Sequence, residues 1–125
     1  MRRDDDLIRK LMLDLEVANR RIFHSHEVPG YTQDQVAYHL ALILKAGLAE
    51  GGEPRYASDG SDPTIPAAVL VSRLTPAGHD FIAEIRDDTV WAKVKERTLK
   101  VGGSVSLEML KQVAGAVVKQ MIGLP

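Results

Sequence analysis

Apolar residues recur near the start of the chain at Leu7, Ile8, Leu11, Met12, Leu15 and Ala18. Positions one and four apart share one face of a helix, so the pattern predicts an α-helix from about Asp5 to Asn19. The carboxylates that precede it sit where a helix N-terminus stabilises negative charge. Arg20 and Arg21 end the segment, Ile22 and Phe23 follow as a short strand, and Pro29-Gly30 turns the chain. Thr32 and Gln35 have the spacing of a capping box. The helix they open carries Val36, Leu40, Ile43 and Leu44 inward and stops at Gly47, a residue type suited to a left-handed cap. Leu48 to Glu50 reads as a brief extended stretch. Residues 51–66, GGEPRYASDGSDPTIP, hold three Gly and three Pro and predict a loop or hairpin tip. Ala67 to Leu74 is rich in β-formers and predicts a strand. Thr75-Pro76 starts another helix, with Phe81, Ile82 and Ile85 on its apolar face. Asp87 to Thr89 mark a bend and a new cap. The next helix carries Val90, Trp91, Val94 and Leu99 as far as Gly102-Gly103. Ser106 caps the last helix, with Leu107, Leu110, Val113, Ala114, Val117 and Met121 on one side.

This order gives an α+β fold, mostly α. We expect a single domain over residues 1–125, with a winged-helix-like part in 1–75 and a C-terminal helical extension in 76–125. The string HLALILKAGL, then a polar loop and a strand entering LTPAGH, resembles a winged helix, in which the helix before the β-ribbon is the recognition helix and the ribbon is the wing. DLIRKLMLDLE, YTQDQVAYHLALILKAGL and LTPAGHDFIAEIRDDTVWAKVKE are together similar to the domain of unknown function 2513 family, over roughly Arg3 to Leu110. That resemblance implies an architecture and a phage or prophage setting, and brings no reaction or catalytic residues with it. The chain departs from an ordinary winged helix in one respect. Residues 32–47 accommodate one helix of about four turns, so the usual positioning helix is missing or reduced to Ser25–Tyr31.

Length and charge narrow the function classes. A chain of 125 residues has room for one core. Sixteen Lys and Arg stand against 17 Asp and Glu, a formal charge of −1, which removes bulk attraction to nucleic acid. The same balance gives no support to adhesion on acidic membranes. Cysteine is absent, excluding disulfides, thiolate metal sites and a Cys nucleophile. No apolar run approaches the ~20 residues of a membrane span, and Met1 to Asp6 do not resemble a signal region. We expect a cytoplasmic protein with no membrane partner.

The chemical signals are modest. On a recognition helix the outward positions would be Gln33, Asp34, Ala37, Tyr38, Ala41 and Lys45. Gln33 can read an adenine edge, Tyr38 or Lys45 can meet phosphate, and Arg55 or Arg73 can meet the backbone. Against this, residues 32–72 hold Lys45 and Arg55 beside Asp34, Glu50, Glu53, Asp59 and Asp62, a net of −3. Residues 93–100 carry Lys93, Lys95, Arg97 and Lys100 against Glu96, a net of +3. Lys93, Arg97 and Lys100 can share a face, although cations near a helix C-terminus are favourable without any ligand. Arg2, Arg3, Arg9 and Lys10 form a second basic patch, diluted by Asp4 to Asp6.

His24 and His26 would lie on one side of a strand, which raises a metal site beside the commoner structural or surface role. His39 and His79 fall in different helices, and His79 is expected to hydrogen-bond across the helix-to-wing junction. Asp87 and Asp88 read as caps, Ser104 and Ser106 have no nearby His, and neither Gly pair sits between a strand and a helix. No acid, base and nucleophile set assembles, so the reading is no enzyme, no cofactor and no identifiable small-molecule substrate. The apolar stripe of the last helix, Val113, Val117, Val118 and Met121, fits either a core packed against the first helix and Trp91 or a subunit interface. These readings converge on a non-enzymatic regulatory or accessory protein of phage or prophage origin, acting by protein–protein interaction or self-association. The alternative is a dimeric DNA-binding regulator.

Overall fold

A computed structural model describes residues 1–103 and 105–124, and the chain divides into two compact units, Met1–His79 and Asp80–Pro125. In the first unit, α1 (Asp5–Val17) begins at Asp4, whose carboxylate accepts the Leu7 N–H at 3.1 Å. The helix buries Leu7, Ile8, Leu11, Met12 and Leu15, the stripe that the apolar spacing marks. Each of these side chains contributes roughly 1.5–3 kcal/mol on full burial. The helix ends at Val17, short of Asn19, because Ala18 turns extended. After β1 (Ile22–Phe23), α2 (Gln33–Lys45) opens on the complete capping box of Thr32 and Gln35. It closes at Gly47, which takes φ 74°. There the Gly47 N–H donates to the Leu44 carbonyl and the Leu48 N–H to the Ile43 carbonyl, a Schellman closure.

Two more strands, β2 (Ala49–Gly51) and β3 (Leu70–Leu74), complete a three-stranded antiparallel sheet in the order β1-β3-β2. Ala49 faces Leu74, Glu50 faces Arg73 and Gly51 faces Val71, with a bulge between Glu50 and Gly51. A Cβ at Gly51 would stand 2.1 Å from the Leu70 carbonyl oxygen, so the ribbon closes there only on glycine. β3 begins later than Ala67. Ala68 makes only an isolated bridge with Arg55, and Val69 exchanges its hydrogen bonds with His24.

The end of β3 is locked to the end of α2. Thr75 donates its N–H to the Leu48 carbonyl at 3.1 Å and its hydroxyl to the Gly47 carbonyl at 2.6 Å. The same hydroxyl accepts the Gly78 N–H at 3.1 Å and so caps α3 (Pro76–Ile85). The packing leaves no room for a side chain at Gly78, where a Cβ would meet the Leu48 oxygen at 1.9 Å. His79, expected to hydrogen-bond across this junction, is instead exposed, and Thr75 makes the link.

In the second unit, α4 (Asp88–Lys100) follows a cap at Asp87, and α5 (Leu107–Met121) follows a cap at Ser106 and packs on α4. Val90, Trp91, Val94 and Thr98 are buried, whereas Leu99 is 71% exposed, contrary to the expected apolar face. Thr98 lies four positions after Val94 and continues that face. Its hydroxyl donates to the Lys95 carbonyl at 2.8 Å, so burying it leaves no orphaned polar group.

One buried polar side chain joins α1 to α2. His39 is 1% exposed. Its Nδ1–H donates to the Gln35 carbonyl at 2.7 Å, and its Nε2 accepts the Asp4 N–H at 2.7 Å. The accepting nitrogen must be unprotonated, so the ring is held as the neutral Nδ1–H tautomer. Tyr31 bonds the Asp4 carboxylate nearby, and burial first, then Asp4, pushes the phenol's pKa up.

Two outcomes follow from these contacts. Gly to Ala in a helix interior ordinarily gains about 1 kcal/mol. Gly78→Ala should instead lose roughly 1–3 kcal/mol through overpacking, read as a lower midpoint in thermal denaturation, and an unchanged or raised midpoint would refute the close approach. Burial pushes the His39 pKa down, against the pull of the Gln35 carbonyl and of Asp4 and Asp5. Below about pH 6.5 the unfolded chain therefore binds a proton that the folded chain refuses, and stability falls as the pH drops. His39→Gln should be less stable at pH 7.5. It should also flatten the slope of unfolding free energy between pH 7 and 5 by up to about 1.4 kcal/mol per unit. An unaltered slope would contradict the neutral ring.

Candidate functional site

The residues nominated for contact with a nucleic acid fall into two groups, one in each unit. On α2, burial of Ala37 and Ala41 narrows the outward face, contrary to their expected exposure, because their methyl groups continue the apolar stripe of Val36, Leu40 and Ile43. Gln33, Asp34 and Lys45 remain exposed. Tyr38 is half-buried and meets the His39 ring edge-on, with centroids 5.3 Å apart. Lys45 donates to the Tyr56 hydroxyl at 2.8 Å and lies 5.1 Å from the centre of that ring. Arg73 is paired across the ribbon with Glu50 at 2.8 Å. Arg55 is exposed, and its backbone is tied to Ala68.

The connection between β2 and β3 is acidic and locally ordered. Asp59 accepts from the Ser61 hydroxyl at 2.7 Å and the Ser61 N–H at 3.1 Å. Asp62 accepts from the Thr64 hydroxyl at 2.6 Å and the Thr64 N–H at 2.9 Å. The side-chain bonds first, then the backbone ones, hold both carboxyls below the usual range, so both are ionised at neutral pH. Glu53, in the same connection, is also exposed.

In the second unit, Lys93, Arg97 and Lys100 line one recess of about 420 Å³ with Glu96, Gln120 and Met121. The Arg97 guanidinium donates to the Gln120 side-chain carbonyl, and Lys100 lies 3.8 Å from Glu96. Lys95 points elsewhere, with its ammonium 5.9 Å from the centre of the Trp91 ring. Of the apolar residues considered for self-association, Val117 lies in the core at 1% exposure. Val113 and Val118 are half-buried and Met121 is exposed.

The histidine pair separates. β1 ends at Phe23 and the His26 N–H turns back to the Phe23 carbonyl, which breaks the alternation of a strand. His24 then accepts the Val69 N–H at 3.2 Å, while His26 bonds the Asp14 carboxylate at 2.9 Å. Among the described residues no three His, Cys, Asp or Glu side chains gather as a metal set. The candidate catalytic groups are taken up by caps: Asp87 accepts the Thr89 and Val90 N–H groups, and Ser106 accepts that of Met109. Ser104 lies outside the described residues.

A feature that the sequence pattern did not flag is an open groove of about 700 Å³ in the first unit. Val17, Ile22, Phe23 and Pro29 line it together with Lys10, Asp14, Arg20, Arg21 and His26. Its members come from α1, β1 and the connections on either side of β1, so no single periodicity announces it.

Among the described residues no helix is long and apolar enough to cross a membrane. The sequence profile of the family described as "Hypothetical protein (DUF2513)" matches residues 2–104. An "Uncharacterized protein" of Haemophilus influenzae strain Rd is 33% identical over 125 residues, covering 98% of this chain and 99% of that protein. No solved structure matches the chain. With the family pattern running from α1 to beyond the end of α4, the chain belongs to the DUF2513 family.

Proposed function

We propose that this chain is a non-enzymatic binding module of regulatory or accessory type, which engages a protein partner through a winged-helix-like scaffold. The scaffold reading is supported by connectivity. One helix precedes β1, α2 lies between β1 and β2, and the sheet runs β1-β3-β2. Turns occupy part of residues 24–31, where a second helix would ordinarily stand. The phage or prophage setting implied by the family resemblance belongs to the same proposal.

A single observation carries the choice of a protein partner over DNA. On the α2 and ribbon face Glu50 offsets Arg73, which leaves Arg55 and Lys45, the latter held by the neutral Tyr56 hydroxyl, as the net cations. Glu53, Asp59 and Asp62 are exposed and, among the described residues, have no Lys or Arg within ion-pairing distance. A phosphate backbone approaching this face would meet more negative than positive charge. A protein with a basic surface would not.

Fluorescence anisotropy with a labelled duplex of about 20 base pairs tests this at physiological salt. Specific readers of DNA bind at roughly 10⁻⁸ M or tighter. The expected result is no saturable binding through this face up to about 10 μM, and no change on Lys45→Glu or Arg73→Glu. Binding that is abolished by those two reversals would replace the protein-partner reading with the DNA-binding regulator, with Gln33, Tyr38 and Lys45 in the groove.

A further inference from the structure

We propose that the recess lined by α4 and α5 is an anion site that takes two adjacent phosphate groups. Lys93, Arg97 and Lys100 stand at i, i+4 and i+7 along α4, a row about 10 Å long. That is room for two phosphates side by side. Among the described residues, neither Lys93 nor Arg97 has a carboxylate within ion-pairing distance. Lys100 has only Glu96, at 3.8 Å with both side chains well exposed, a contact worth little.

Among the described residues, the polar side chain of α5 that bonds to these cations is neutral. Gln120 of α5 accepts from the Arg97 guanidinium, which orients the planar fork without cancelling its charge. A guanidinium has five N–H donors, so one amide oxygen leaves the others for a ligand. That fork matches phosphate oxygens in pairs, and the two ammonium groups add point charge on either side. Three cations against Glu96 leave a formal +2, which suits a phosphate pair better than a lone carboxylate.

The helix dipole does not account for the whole row. It favours cations within the last turn, where Arg97 and Lys100 lie. Lys93 is about two turns from the end of α4, beyond that reach, yet it lines the same recess. α5 offers no carboxylate in return, since its one acidic residue, Glu108, pairs with Lys111 at 2.9 Å.

Phosphate pairs occur in free diphosphate esters and along a nucleic-acid strand, and one experiment separates the sources. The full-length chain, ¹⁵N-labelled, is titrated with inorganic pyrophosphate and, separately, with a short single-stranded oligonucleotide. Saturable shifts at Lys93, Arg97, Lys100 and Gln120 are expected with pyrophosphate at or below about 1 mM, with at least a fivefold loss of affinity in Lys93→Ala and in Arg97→Ala. Arg97→Lys should retain part of the affinity. An oligonucleotide that binds more tightly than pyrophosphate identifies a nucleic-acid strand as the source, and equal or weaker binding identifies a free phosphate ester. Exposed Lys93 and Lys100 keep the test valid if loss of the Arg97–Gln120 bond disturbs the helix pair. Shifts that do not saturate, or binding indifferent to Lys93→Ala, would overturn the proposal. These variants leave Lys45 and Arg73 in place, so the outcome is separable from that of the duplex experiment.

Discussion

The Leu48 carbonyl is the point on which the first unit turns. α2 ends one residue earlier in a left-handed glycine, and the Leu48 N–H is spent on closing that helix. Its carbonyl then accepts the Thr75 N–H, and Gly78 packs directly against it. Helix, ribbon and the start of the next helix therefore meet at a single peptide group. Three residues make this possible: Gly47, which tolerates positive φ, Thr75, which both donates and accepts, and Gly78, which has no Cβ. Because Thr75 also holds the Gly47 carbonyl, the direction in which β2 leaves α2 is set by the residue that follows β3.

That junction determines what the α2 and ribbon face can present. β2 and β3 run antiparallel with Glu50 opposite Arg73, so a cation that looks available along the chain is neutralised across the strands. The loop between them brings Tyr56 to Lys45. What remains outward is mostly acidic despite exposed Arg55, and its charge is stabilised by short side-chain turns at Asp59 and Asp62. On α4 the logic is reversed. Lys93 and Arg97 find no carboxylate on their own helix or on α5, and positive charge collects in one recess. A net charge of −1 over the whole chain therefore conceals two surfaces of opposite character.

Legibility followed the range of the interactions. The cap at Thr32, the cap at Ser106, the stop at Gly47 and the buried stripe of α1 each depend on residues within about one turn of each other, and all were readable from spacing. Leu99 and His79 misled because an apolar or polar side chain at helical spacing has no fixed partner until the neighbouring element is placed. His39 is the clearest case of an illegible contact. Nothing near it in sequence announces that its Nε2 accepts a backbone N–H from Asp4, 35 residues away. The groove beside β1 is lined from residues 10–29 alone, and it is the fold of that stretch from helix through strand to turn that no periodicity encodes.

The sequence by itself determined the element order, the caps, the apolar face of α1 and the opposite charge of residues 32–72 and 93–100. These are local quantities, fixed by dihedral preference, periodicity and composition. Only the tertiary structure decided which cations are neutralised, which histidine is buried as a neutral tautomer, and which side chains share a recess. Such pairings join residues far apart in the chain. Their geometry is set by how helices and strands pack, and no spacing rule within one element encodes it.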